Sequence, residues 1–64
     1  MSEGDVTIKE RAREDVRILV HKLGAGIVMR HVGFFECAKV HERQLKGRAR
    51  SRYQRAFHKA LKET

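Results

Sequence analysis

Sixty-four residues make one domain at most, near the lower limit at which a hydrophobic core sustains a fold unaided, and the lone Cys37 excludes an internal disulfide. Fifteen lysines and arginines against eight aspartates and glutamates give a net charge of +7, which directs attention to anionic partners. The most apolar stretch, residues 18–35, is interrupted by His21, Lys22, Arg30, His31 and three glycines, which argues against a membrane-spanning helix.

The first residues, Met-Ser-Glu-Gly-Asp, have neither the basic start nor the apolar run of a secretory signal, and residues 1–6 read as a disordered tail. Together with an unpaired cysteine, this makes a cytoplasmic protein the expectation. A first helix is predicted over residues 7–23. Thr7 followed three residues later by Glu10 is a capping-box pattern, in which hydroxyl and carboxylate each accept an otherwise unpaired backbone amide. Ile8, Ala12, Val16, Leu19 and Leu23 then recur at helical spacing, widened by Val20. The opposite face mixes signs, with Glu10 near Arg13 and Glu14 near Arg17. Gly24-Ala25-Gly26 ends the pattern.

Residues 27–45 are predicted to be mostly helical. Ile27, Phe34, Ala38, His41 and Leu45 share one helical face, with Val28, Val32 and Phe35 on an adjoining strip that is the candidate protein interface. The segment 27–32 is short, rich in β-branched residues and bounded by glycines, so a short strand or irregular piece is the alternative there. Gly33 reads as a kink or boundary. After Lys46-Gly47, residues 48–63 form a third helix whose apolar face is Ala49, Tyr53, Ala56, Phe57, Ala60 and Leu61. The fold class is therefore all-α, a small two- or three-helix hairpin or bundle. Its apolar layer is thin, so a homodimer is the default assembly.

Charge is distributed unevenly. Residues 1–23 balance five bases against five acids, whereas residues 24–64 set ten bases against Glu36, Glu42 and Glu63. On the last helix Arg48, Arg52, Arg55, Lys59 and Lys62 are spaced four, three, four and three. At about 100° per residue they lie within about 80° of one another, along about 21 Å of helix. Arg43, Lys46 and Arg50 add charge nearby, and no acid occurs between Glu42 and Glu63. Long runs of one sign are often just a solvated face. Here, however, Arg48 with Arg52 and Arg55 with Lys59 are like-charge i,i+4 pairs, each costing a few tenths of a kcal/mol. Arg48, Arg50 and Arg52 also crowd the helix start, where the backbone dipole disfavours cations. An anionic ligand would relieve both penalties, and arginine's planar fork suits phosphate.

The primary expectation is accordingly a nucleic-acid-binding regulatory or accessory protein that contacts DNA or RNA phosphates through this ridge. Tyr53 lies on the apolar face and belongs to the core rather than to a stacked base. With no asparagine and only Gln44 and Gln54 as amides, the chain has little material for reading adenine edges. The rival reading is a protein-binding inhibitor or adaptor, of the phage or plasmid type, docking on an acidic or apolar groove. A membrane-surface helix is disfavoured by the thin, alanine-rich apolar face. Cys37 and His41 stand at i,i+4, but no second pair at matching spacing completes a zinc site. Nor does a third orienting group accompany them for nucleophilic catalysis. No enzyme, cofactor or metal is expected.

Overall fold

The computed structural model describes the backbone of residues 3–64 and the side chains of residues 7–64. Four helices follow one another: α1 (Glu3–Leu23), α2 (Ala25–Arg30), α3 (Val32–Glu42) and α4 (Gly47–Lys62). The described residues contain no strand, so the segment 27–32 is helical with a break at His31 rather than extended. No helix among them is long and apolar enough to cross a membrane.

α1 begins a turn earlier than the capping-box pattern implies. Thr7 lies inside the helix rather than at its start, the helical backbone extends back to Glu3, and Met1 and Ser2, in the segment expected to be a tail, lie outside the described residues. The helix ends where glycine permits it. Gly24 takes φ 92 and ψ 146, a conformation closed to most side chains, while its amide still donates to Val20 O at 2.8 Å. One residue therefore suffices to turn α1 into α2.

The arrangement is up-down-up: α2 and α3 carry the chain back, and α4 then packs along α1 as the main helix–helix interface. Asp15 of α1 reaches the middle of α4 at Tyr53, while Arg17, Val20 and His21 lie beside its end at Ala60, Glu63 and Thr64. The first and last helices thus run in the same sense. Ala12 and Val16 from α1, Val28 from α2, Val40 from α3, and Tyr53, Phe57, Ala60 and Leu61 from α4 form the core. Ile8, Leu19, Val20, Val32, Phe35, Leu45 and Ala56 pack around it. The alanines at Ala12 and Ala60 suit an interface at which two helices approach closely.

The middle of the chain departs from the stripe read in the sequence. Val28, Val32, Phe35 and Val40 turn inward, whereas Ile27 and Phe34 are exposed at 48% and 71%. The cause is the break at His31 (φ −117, ψ 31), which resets the helical phase between α2 and α3. Gly33, which read as the boundary, lies within the first turn of α3.

α3 stops through a Schellman motif. The Leu45 amide donates to Val40 O at 3.0 Å and the Gln44 amide to His41 O at 3.1 Å. Gln44 occupies the left-handed position (φ 56) that glycine usually fills, and Leu45 packs against the core to close the turn.

Candidate nucleic-acid interface

The side chains that tie α1, α3 and α4 together are polar. Asp15, at 4% exposure, accepts from Arg43 Nε at 3.0 Å and Arg43 Nη2 at 2.8 Å, a two-pronged ion pair between α1 and the end of α3. Tyr53, fully buried, donates its hydroxyl to the same carboxylate at 2.5 Å. Three helices thus meet at one carboxylate. Arg43, counted among the candidate phosphate contacts from sequence, has its fork committed inside the chain. Tyr53 is a core residue, as its place on the apolar face implied.

These contacts govern ionisation. Burial pushes the Asp15 carboxyl up, but the hydrogen bonds from Arg43 and Tyr53 and the charge of Arg43 together hold it below its ordinary range. Burial, followed by the hydrogen bond to Asp15 and its negative charge, pushes the Tyr53 phenol up. The hydrogen bonds to Asp15 likewise strengthen the hold of Arg43 on its proton. The two titrations act on stability in opposite directions. Asp15 binds a proton less readily when folded, so its contribution is present above the unfolded value near 4 and fades as pH falls. Tyr53 holds its proton more tightly when folded, so its contribution is present below about pH 10 and fades as pH rises. Thermal unfolding followed by circular dichroism should show a plateau between about pH 4 and pH 10 with a decline on each side. A midpoint unchanged at pH 3 and pH 11 would show that the three groups do not meet in solution.

A second buried carboxylate, Glu36 on α3, lies against the imidazole of His58 on α4. The contact is one of proximity, since Glu36 Oε2 accepts no well-directed hydrogen bond.

With its apolar face committed to the core, α4 presents its opposite side outward. Arg48, Arg52, Arg55, Lys59 and Lys62 are all exposed, and so are Lys46 and Arg50. Arg50 lies on another side of the helix, lining a cleft with Cys37, His41, Gln44 and Lys46 near the end of α3. The ridge proper is therefore the five-residue row, and Arg52 within it also has an interaction inside the chain.

The ridge does not stand alone. A groove of about 390 Å³ between α1 and α4 is lined by Lys9 and Arg13 on one wall and Arg52, Arg55 and Lys59 on the other. Ala56 and Ala60 lie between the walls, and Glu63 is the one acid among the described lining residues. Arg17 continues the α1 row one turn on. Sequence reading missed these α1 cations because it paired Arg13 with Glu10 and Arg17 with Glu14. Neither pair forms among the described residues, in keeping with the small gain from pairing long exposed side chains. The spacing of four from Lys9 to Arg13 to Arg17 was the available signal.

The candidate protein-interface strip has a different fate. Val28 is fully buried in the core of the single chain, and Val32 and Phe35 pack against that core. Cys37 and His41 are exposed on α3, and no group of three metal-ligating side chains occurs among the described residues. Comparison with protein-family models, with curated proteins and with solved structures gave no significant match to this chain.

Proposed function

We propose that this is a cytoplasmic nucleic-acid-binding protein of regulatory or accessory type, which holds the phosphate backbone through the basic ridge of α4. The observation that carries the reading is the concentration of exposed cations on one side of the molecule: the α4 row, with Lys9 and Arg13 facing it from α1. Such a surface accumulates self-repulsion that an anionic polymer removes, and the release of condensed counterions supplies the binding free energy. Five to eight phosphate contacts give a slope of log K against log salt of roughly −4.5 to −7 on duplex DNA. A salt titration with labelled duplex DNA, single-stranded DNA and hairpin RNA tests this, and absence of binding to all three at low salt would end the proposal.

Self-association is the companion reading, and it rests on Phe34. This ring is 71% exposed, on a face of α3 where Cys37, Ala38 and His41 are also exposed, with Lys46 and Arg50 bordering its far end. A second copy placing the same face against it would cover the ring by two-fold symmetry. Sedimentation should then report a dimer, and Phe34→Arg a folded monomer. A wild-type chain that sediments as a monomer at high concentration would dismiss the dimer.

A further inference from the structure

Resting on the nucleic-acid reading, we infer that the groove between α1 and α4 selects double-stranded nucleic acid and follows its phosphates, with Lys9 and Arg13 as a second row of ligands opposite Arg52, Arg55 and Lys59. Proteins that prefer single strands combine a basic channel with exposed rings on which bases stack. The two large rings of α4 cannot serve in that way, since Tyr53 and Phe57 are fully buried. His58 is half exposed beside Arg55 and Lys59, but it leans on Glu36 and the edge of Phe57, and one imidazole is a small platform for a run of bases. Phe34 stands on α3 and lines neither flank of the ridge. What the surface offers a polymer is cations over a floor of two alanines, and the polymer that rewards cations most is the one with the higher charge density, the duplex.

The same geometry keeps α4 out of the major groove. A helix with its side chains is about 10–12 Å across, close to the roughly 12 Å width of that groove. α4 has α1 packed along its flank, with Lys9 and Arg13 reaching the same groove as its own cations. Two helices side by side, with axes about 8–10 Å apart, are too broad to enter together. The pair therefore rests on the backbone, one row of cations on each side of a strand of phosphates, and base identity is not read.

The phosphates of a duplex come from either DNA or RNA, so the test carries arms for both. Affinities of the full chain are measured at about 0.1 M salt for duplex DNA, duplex RNA and single-stranded DNA of equal length and of two unrelated sequences. Counterion release of about 0.9 per contact on duplex and about 0.7 on single strands gives an expected preference of about tenfold for duplex with five contacts. Lys9→Ala combined with Arg13→Ala should weaken duplex binding by about 60-fold, since each phosphate ligand removed takes away about 0.9 log units at that salt. The control Lys22→Ala with Arg30→Ala removes equal charge away from the groove and should change affinity far less. Equal or tighter binding of single strands, a strong difference between the two sequences, an α1 variant that binds duplex normally, or a control that loses as much would each overturn the two-row groove. None of these would touch the α4 ridge as a nucleic-acid site. Failure to bind any arm would overturn the underlying reading as well. Lys9 and Arg13 are exposed, and an unchanged circular dichroism spectrum and unfolding midpoint confirm that the variants are folded.

Discussion

Arg43→Ala should destabilise the protein by about 3–5 kcal/mol, the cost typical of removing one member of a buried ion pair, and leave much of the chain unfolded at room temperature. A 64-residue domain has only about 3–10 kcal/mol of stability to lose. The penalty comes from what the substitution leaves behind, a carboxylate at Asp15 that is 4% exposed and retains only the Tyr53 hydroxyl as a partner. Replacing the whole group with apolar side chains, as Asp15→Leu with Arg43→Met and Tyr53→Phe, should recover most of the loss because no buried charge is then unpaired. Urea unfolding monitored by circular dichroism distinguishes the cases. If Arg43→Ala kept full stability and instead lost nucleic-acid affinity, Arg43 would belong to the binding surface and not to the junction.

Arg55→Ala combined with Lys59→Ala should have the opposite profile. Removing two phosphate ligands at about 0.1 M salt corresponds to about a 60-fold weaker complex and a salt slope shallower by about 1.8. Folding should be unharmed or slightly improved, because the pair repels at i,i+4 and alanine is the better helix former. Arg55 and Lys59 are cleaner targets than Arg52, which has an interaction within the chain. Affinity measurements and thermal unfolding on one preparation check both halves. A variant that unfolds more easily while binding equally well would make these side chains structural.

Much of this molecule is written locally in its sequence. The ends of the chain were legible because their helices keep a single phase: Ala12 and Val16 in α1, and Tyr53, Phe57 and Leu61 in α4, fall where a repeat of 3.6 puts them. The middle was not, for two physical reasons. The stripe through Ile27, Phe34 and Leu45 presupposes one continuous helix, and the break at His31 rotates α3 out of phase with α2. In addition, the inward face of α3 contains Glu36 and a half-buried Lys39 among its apolar residues, with Arg43 at its end, so it lacks the contrast a periodicity needs. The partners of its polar side chains are mostly distant, with Arg43 meeting Asp15 28 positions away and Glu36 meeting His58 on another helix. The stop at Gln44 was hidden in a similar way, since no glycine marks the left-handed residue.

The candidate surface divides along the same line. The α4 row is a property of one helix and was visible from its spacing alone. The facing row on α1 required knowing which helix lies beside α4, and Lys9 and Arg13 looked like ordinary members of a mixed-sign face until then.

That the groove is walled by the first and last helices has a consequence for the order in which the protein matures. Helices form from neighbouring residues quickly, whereas contacts between distant parts of a chain are established late. A chain in which α4 has not yet docked has the two rows of cations on separate, independently moving pieces and cannot hold a strand between them. On the proposed reading, the two-row grip, unlike the α4 ridge by itself, is therefore acquired in the final act of assembly. A ligand that favours only the docked form draws the last helix into place by mass action, making its own concentration a determinant of how much of the protein is complete.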